Sequence, residues 1–474
     1  MEPKSRLLRW SYVLVLGFIS GCTQYVPRPI EPQKSLEVFR ARSLAAPDLR
    51  AFLAGNGVQV PPSGVAWSMK ALTLAAFYYQ PSLAEARAQL LAAQAARITA
   101  AERPNPSIAI TPGYDSGVPN APSPWIVPIS MDWPIETAGR RGDRMEEARH
   151  LAVASRWDLV GKVWQVRSGL RTALLGLYAA RRTESLLRRE ELAQRRIVKL
   201  TEGQIEAGMG PGYLLTQARI ELDRTTLARQ AAAAAIHQAK IRLAAAIGVA
   251  PRALSQVRFS YIDFERFPRD LTRPQIRRQA LLGRADVRAA LERYAASQSA
   301  LKLEVARQWP NLHLGPGFAW NSQLARDSEW QLGLSLPLPL LNHNQGPIAE
   351  ARAKRKLAAA HFLTVQADAL DQIDSALERY HAALTGLATA DALLAHLQQQ
   401  LDSMRALVRA GERQPLDLAE AEFTFDIGAR RRLEAQIRAQ QALGELESAV
   451  QSPLTLASST LRAAQTGTSN PEKP

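Results

Sequence analysis

Trp125-Ile126-Val127-Pro128-Ile129-Ser130-Met131-Asp132-Trp133-Pro134-Ile135 carries an apolar residue at every odd position, with Pro128, Ser130 and Asp132 between them. A period of two is that of a strand whose faces meet different surroundings. Downstream, Trp330, Leu332, Leu334, Leu336 and Leu338 alternate with Gln331, Gly333, Ser335 and Pro337, while Ile108, Ile110 and Leu312, Leu314 begin the partner strands. Alternation with Trp or Tyr near the ends is the pattern of a transmembrane strand, lipid-facing on one side and lumen-facing on the other. A hairpin packed on a soluble core gives the same local pattern, so its meaning depends on the rest of the chain.

The rest of the chain is a tandem duplication. At a spacing of 203 residues, Met145-Glu146-Glu147-Ala148-Arg149 answers Ile348-Ala349-Glu350-Ala351-Arg352, and Pro134 answers Pro337. Ala207-Gly208 answers Ala410-Gly411, Leu215 and Ala218 answer Leu418 and Ala421, and Pro104-Asn105 answers Pro310-Asn311 with three residues of slippage. Repeats of this kind set the architecture before any local reading does.

Each copy follows one plan. An Ala-rich helix of roughly 30 residues (Leu72 to Glu102; Gln279 to Gln308) runs into Pro-Asn, and two extended stretches follow. A very long helix then runs from near Ala138 to Ala207, or from near Gly346 to Ala410, roughly 100 Å at 1.5 Å per residue. Each stops at Gly, as a helix C-terminus favours. After a short turn a returning helix ends near Ile247-Gly248 in the first copy and at Leu446 to Val450 in the second.

The N-terminus addresses the chain to an envelope. Lys4, Arg6 and Arg9 precede an apolar run from Trp10 to Ile19, which closes in Ile19-Ser20-Gly21-Cys22. That is the pattern of a cleaved export signal, and the run is too short to span a bilayer, which needs about 20 residues. Small residues leading to the chain's single Cys give a lipoprotein signal, with cleavage between Gly21 and Cys22 and a covalent lipid (palmitate) on Cys22. Thr23 in place of Asp favours the outer membrane over inner-membrane retention. With Cys22 lipidated, no thiol is left for a disulfide or thiolate metal site. The formal net charge is +15; export sets nucleic acid aside as a partner. The Arg181-Arg182 to Arg195-Arg196 stretch, interleaved with Glu184, Glu190 and Glu191, reads as a solvated helix face with some ion pairing.

Four strands cannot close a transmembrane barrel, for which about eight is the minimum, and an open edge in lipid leaves backbone groups unpaired. The barrel must be shared between copies. Two copies would supply eight strands, largely filled by side chains, and three twelve, with room for a channel.

A lipidated Cys, a duplicated helix-strand-strand-helix unit, Pro-Asn before each first strand and Gly-marked helical turns resemble the TolC family of outer membrane factors over nearly the whole mature chain. Ile135-Glu136-Thr137-Ala138-Gly139-Arg140-Arg141 and Pro337-Leu338-Pro339-Leu340-Leu341-Asn342-His343-Asn344-Gln345-Gly346 resemble its CzcC-like heavy-metal branch. The resemblance implies a mainly α fold with transmembrane β: long antiparallel helical hairpins forming a periplasmic α-barrel, and four strands per chain in a trimeric, twelve-stranded outer-membrane β-barrel. It implies a homotrimer in outer-membrane lipid, coupled by a periplasmic adaptor to an inner-membrane pump of the resistance-nodulation-division type. The organisation expected is a signal peptide at 1–21, a lipidated segment and equatorial belt at 22–70, and a first repeat at 71–249 with hairpin about 104–135 and tip about 208–213. An equatorial linker at 250–273 leads to a second repeat at 274–450, with hairpin about 310–338 and tip about 411–416, and a disordered tail at 451–474.

Function in such a chain is opening and docking rather than bond-making. Gly208, Gly210, Tyr213, Gly411 and Leu416 mark the tips that in the family meet the adaptor, their Gly residues freeing the backbone for tight turns. Leu416 and Glu420 stand four apart on one helix face, with Tyr213 and Gln217 at the matched first-copy positions, and in some family members residues so placed line the closed constriction. The seven His residues include no pair at helical ligand spacing, so no metal site is expected. Glu147-Ala148-Arg149-His150 has a Glu-x-x-His spacing used in di-iron bundles, but its counterpart ends in Ala353 and the motif reads as a solvated helix face. No catalytic motif is present, and neither an enzyme nor a cofactor beyond the lipid is expected. Efflux of heavy-metal cations is the leading reading. The same duct for drugs, organic anions or a secreted polypeptide is the alternative, and a structural periplasmic coiled-coil lipoprotein is the rival of a different class.

Overall fold

The computed structural model describes residues 23–59, 65–114, 125–268, 271, 273–321 and 328–454. Gly21, Cys22 and the signal segment, and 455–474 of the C-terminal tail, lie outside the described residues. The described residues from Thr23 to Ser43 fall in one unit, whose helix α1 (Pro32–Ala41) buries no side chain. The remainder forms the second unit, in which the two copies are built.

The first copy opens with α2 (Pro47–Gly55) and α3 (Met69–Tyr79), followed by α4 (Pro81–Ala101). A single helix of about 30 residues was expected across α3 and α4, and the structure corrects this. Pro81 brings no backbone N–H and cannot continue a preceding helix; Gln80 is extended, and its side-chain amide donates to the carbonyls of Ala245 and Ala246 at 2.7 and 2.8 Å. The second copy breaks likewise into α7 (Arg273–Gly283) and α8 (Ala285–Ala306), with Arg284 extended between them. α3 is apolar nearly all round, the mark of a helix sunk in a core. Leu72, Leu74 and Phe77 lie fully buried against Leu170, Leu174 and Leu177, with Phe259 and Phe264 of the inter-copy segment completing the cluster. The linker expected at 250–273 is thus packed on the core through Leu254, Phe259 and Phe264; Trp67 bridges to Phe259.

The long helices are α5 (Arg140–Glu206, 67 residues) and α9 (Gln345–Arg409, 65 residues). Each returns as α6 (Tyr213–Ile247) or α10 (Pro415–Val450). Among the described residues no helix is long and apolar enough to cross a membrane.

Strands β1 (Ser107–Ile110), β2 (Gly113–Tyr114), β3 (Trp125–Ile135), β4 (Leu312–Asn321) and β5 (Ser328–Ser335) form one antiparallel sheet in the order β1-β3-β4-β5, with β2 continuing β1 along β3. The expected first strand is thus split where Pro112 cannot donate to the ladder, but its register on β3 is unbroken: Ile108 faces Met131 and Gly113 faces Ile126. Leu336 and Leu338, expected in the last strand, lie beyond it. The two hairpins pair with each other through β3 and β4.

Candidate functional site

Residues opposite one another in a sheet share a face, so the register sorts every strand position. Ile108, Ile110, Trp125, Val127, Ile129, Met131, Trp133 and Ile135 share one face with Leu314, Phe318, Trp330, Leu332 and Leu334. Most of these large side chains stand exposed on the chain. Toward the far end of the strands Tyr114 packs edge-on against Trp125, and Phe318 packs at a tilt against Trp330, while Trp133 lies near the helical end. Along β3, Trp125 and Trp133 are about 27 Å apart at ~3.4 Å per residue, close to the height of the apolar band between aromatic girdles in an outer-membrane barrel. The opposite face carries Ala109, Ser130, Asp132, His313, Gly315, Gly317, Gln331 and Gly333. One face fits lipid and the other fits water.

The junction between strands and helices is a clasp of guanidinium groups on helix C-termini, whose last carbonyls lack partners within the helix. Arg141 donates to Ala101 O at 2.7 Å; Arg144 donates to Ala100 O and Glu102 O, each at 2.9 Å, at the end of α4. Arg144 also pairs with Glu136 at 2.6 Å, and this hydrogen bond holds the Glu136 carboxyl below its ordinary range. Arg140 reaches across to the second copy, donating to Asn311 Oδ1 at 2.9 Å and to the carbonyl of Trp309 after α8. Asn344, in left-handed backbone, donates to Glu304 O at 2.7 Å. Glu136, Arg140 and Arg141 of the segment Ile135–Arg141 and Asn344 of Pro337–Gly346 take part in this clasp, and Arg144 lies just beyond the first. Sequence reading found them by resemblance and missed their role; three Arg within five residues beside a helix end was the available signal.

Below the belt, α5 and α10 are joined by polar pairs. Glu190, only 3% exposed, takes Arg430 at 2.8 Å; Arg189 meets Asp426 at 3.4 Å, and Arg196 meets Glu422 at 3.2 Å. Burial pushes the Asp426 carboxyl up, with Arg189 opposing. Glu191 binds Arg195 at 2.7 Å and also Arg229 of α6. Burial works against its charge, but these two hydrogen bonds win and lower its pKa. The expected solvated face is therefore corrected: its carboxylates Glu190 and Glu191 are buried interhelical anchors. His150 is corrected too. It is half-buried, with Nδ1 2.7 Å from Glu292 of α8 and Nε2 3.5 Å from Glu146. Among the described residues no group of three or more His, Cys, Asp or Glu is placed to hold a metal.

At the far end stand the two tips. In the first, Gly208 and Gly210 have φ of 75° and 143°, values open to Gly at little cost, and no side chain caps α6. In the second, Gly411 has φ of 78° and Gln414 and Asp417 form a reciprocal capping box around Pro415. Gln204 donates to Gln414 across the tips. Leu416 lines a groove of about 650 Å³ with Leu200, Gly203, Gln204 and Met209. Tyr213, Gln217 and Glu420 stand exposed; the single chain does not gather them beside Leu416.

A sheet with one lipid-type and one water-type face, continued by paired helices about 100 Å long, is the build of an outer-membrane conduit. The chain belongs to the family described as "Outer membrane efflux protein", whose model matches residues 76–249 and 276–451. It is a transport conduit and not an enzyme. No curated protein sequence matches. Among solved structures, the outer-membrane channel OprN is similar at 20% identity over 90% of this chain and 98% of its own, with a TM-score of 0.65. CusC, described for the conformational changes that accompany folding and transmembrane channel formation, is similar at 18% identity over 81% of this chain and 91% of its own, TM-score 0.65. The CmeC outer membrane channel of Campylobacter jejuni is similar at 15% identity over 94% and 98%, TM-score 0.65. At these identities the likeness is one of fold.

Proposed function

We propose that three copies of the chain close into a twelve-stranded outer-membrane barrel continued by a periplasmic helical tunnel. This duct takes its cargo from a resistance-nodulation-division pump in the inner membrane through a periplasmic adaptor seated on the tips. One observation carries the reading: a sheet with a continuous apolar face, four strands wide with β2 continuing β1, in which, among the described residues, β1 and β2 pair with β3 alone and β5 with β4 alone. Open edges are not tolerated in lipid, and joining one copy's β5 edge to the next copy's β1 edge is a head-to-tail contact that generates a ring. Cys22 carries the lipid anchor. Heavy-metal cations are the cargo, a reading supported by the resemblance of Ile135–Arg141 and Pro337–Gly346 to the heavy-metal branch. Leu416 and Glu420, with Tyr213 and Gln217, form the constriction at the tips.

The experiment is to express a Cys22→Ser chain behind a plain cleavable signal, extract it from outer membranes in mild detergent, and measure mass and single-channel conductance. A membrane-bound trimer that conducts is expected; a soluble, non-conducting product would overturn the duct and favour a structural coiled-coil lipoprotein. For the cargo, cells lacking the chain are expected to become sensitive to divalent metals. Sensitivity confined to dyes and drugs would replace the metal with organic cargo. Glu420→Ala should alter conductance, and an unchanged value removes Glu420 from the gate.

A further inference from the structure

The chain already contains one boundary between two copies of its unit, and that boundary is fully formed. β3 of the first copy meets β4 of the second from Ile126 opposite Asn321 to Ile135 opposite Leu312. On its helical side Arg140 donates to Asn311 Oδ1 at 2.9 Å and to the carbonyls that end α8. The strands on the two open edges are the counterparts of β3 and β4, and both are cut short. β3 runs for 11 residues and β5 for 8; β4 runs for 10, while its counterpart is broken into β1 and β2, of 4 and 2 residues. Leu336 and Leu338, which match Trp133 and Ile135 of β3, fall outside β5. An edge strand presents a row of unpaired backbone groups, and these two edges fray where their inner counterparts are held on both sides.

We infer that the boundary between subunits repeats the boundary inside the chain, with β5 of one copy in the place of β3 and β1 and β2 of the next copy in the place of β4. Trp133 opposite Leu314 becomes Leu336 opposite Ile108 of the next copy, and Val127 opposite Trp320 becomes Trp330 opposite Tyr114 of the next copy. This register is fixed by the Pro and Asn landmarks of the duplication and not by side-chain chemistry, yet it brings like faces together. Leu334 stands opposite Ile110 on the apolar face, while Gly333 meets Thr111 and Ser335 meets Ala109 on the water-type face. A slip of one residue would set Leu334 against Ala109 or Thr111 and break both faces. The helical side follows the same rule. His343 matches Arg140, Asn105 matches Asn311, and both stand exposed on the single chain. An imidazole carries at least one N–H, so His343 donates to Asn105 Oδ1 of the next copy as Arg140 donates to Asn311. The inference rests on the duct reading and supplies the register and the contacts of its seam.

The test uses the full chain with Cys22→Ser behind a plain cleavable signal, so that introduced thiols are the only ones present. Ser335→Cys with Ala109→Cys puts two thiols on directly opposed residues, about 4.5–5.5 Å apart at Cα, within the span of a disulfide. β1 and β5 lie at opposite ends of the strand order, so the bond must join two copies. Oxidation with copper phenanthroline in outer membranes should carry most of the chain to three times its mass on a non-reducing denaturing gel, and dithiothreitol should return it. Ser335→Cys with Thr111→Cys, two residues out of register and about 7–8 Å apart, should stay largely unlinked. Linking of the second pair in place of the first overturns the register. If neither pair links in a protein that has the mass of a trimer in mild detergent, the seam is overturned and the duct stands, whereas a monomer in detergent overturns both. For the helical side, His343→Ala should lower the temperature at which the trimer dissociates in SDS by several degrees, and His343→Arg should restore it. An Ala variant that dissociates together with the unmodified protein overturns the contact to Asn105.

Discussion

The helices α5 and α9 come from one duplicated unit and differ by two residues in length, yet α5 buries twenty side chains and α9 nine. The difference lies in their neighbours. α5 packs against α4, α6, α8 and α10, whereas α9 has α10, α8 and the short α7. α5 is thus internal to the layer of helices and α9 flanks it. Apolar residues on the flanks remain uncovered, Leu357 and Leu363 on α9 and Leu227 and Ile241 on α6; in the closed trimer proposed above, a neighbouring copy covers them. Duplication supplied equal units, and position within the chain decided which of them received a core.

The internal position of α5 is marked by a charge that the first copy lacks. Glu447 on α10, 1% exposed, accepts from Arg167 at 3.1 Å, lies 3.6 Å from Arg171 and accepts from Leu454 N at 3.0 Å. At the matched first-copy position stands Ala244, packed in the apolar core. Glu447→Ala leaves two buried guanidinium groups without their carboxylate, a loss of about 3–5 kcal/mol, read as a drop in the urea midpoint followed by far-UV circular dichroism in detergent. A cost within about 0.5 kcal/mol, the range of inert surface changes, would mean that the carboxylate does not anchor α10 to α5.

A second asymmetry sits where each returning helix meets its entering helices. Gly248 ends α6 with φ of 88°, and a Cβ there would lie 2.8 Å from Tyr79 O and 3.0 Å from Tyr79 C. Its counterpart Gln451 also adopts positive φ, but there the side chain is used: Oε1 accepts from Ala285 N at 2.8 Å. Gly248→Ala combines left-handed strain with a backbone clash and should cost about 2–3 kcal/mol. Gln451→Gly exchanges relief of strain for a lost hydrogen bond, so its net change should stay below about 1 kcal/mol. Equal costs at the two sites would erase the distinction.

Much of this was legible in the chain. Period-two alternation placed the strand faces because in a half-exposed sheet the pattern and the register are one constraint, and the Gly-marked ends of the long helices came within a few residues. Pro81 and Gly283 mark the breaks at Gln80 and Arg284 in the sequence, but the groups that hold the two turns, the carbonyls of Ala245 and Ala449, lie over a hundred residues away. The burial of Glu190 and Glu191 was hidden for a related reason. An Arg- and Glu-rich run looks solvated until the helix carrying the opposite charges is docked against it, and Arg430 is 240 residues along the chain. At the tips the turns could be read, but which side chains meet there depends on helix rotation, which no local pattern encodes.

The junction clasp divides the copies again. The first copy uses Arg140, Arg141 and Arg144, and the matched positions in the second are His343, Asn344 and Pro347. Arg144→Ala should cost about 1–2 kcal/mol, toward the low side because a third of the Arg144 side chain is exposed. The sign of its pH dependence is fixed. Arg144 lowers the folded-state pKa of Glu136, so this contribution is complete above the unfolded carboxylate value of about 4.3 and is lost as pH falls through the folded value. Thermal melts of the two proteins should therefore differ at neutral pH and converge in acid. A gap that persists unchanged in acid would assign the effect to the carbonyl caps on α4.

The most local expected effect lies at the tips, where the two turns solve one problem differently. The second is fixed by the box of Gln414 and Asp417, and Gln414 N donates to Asp417 Oδ2 at 3.1 Å; the first has three Gly and no such bond. Removing the box with Asp417→Ala should cost about 1 kcal/mol, the worth of an N-terminal cap. It should act locally, since end-frayed helices open without global unfolding. Amide hydrogen exchange at residues 411–419 should then rise toward the rate at 208–217, which ought not to change. If the second tip already exchanges as fast as the first, the capping box does not stiffen it, and the two tips present an adaptor with equally pliant surfaces.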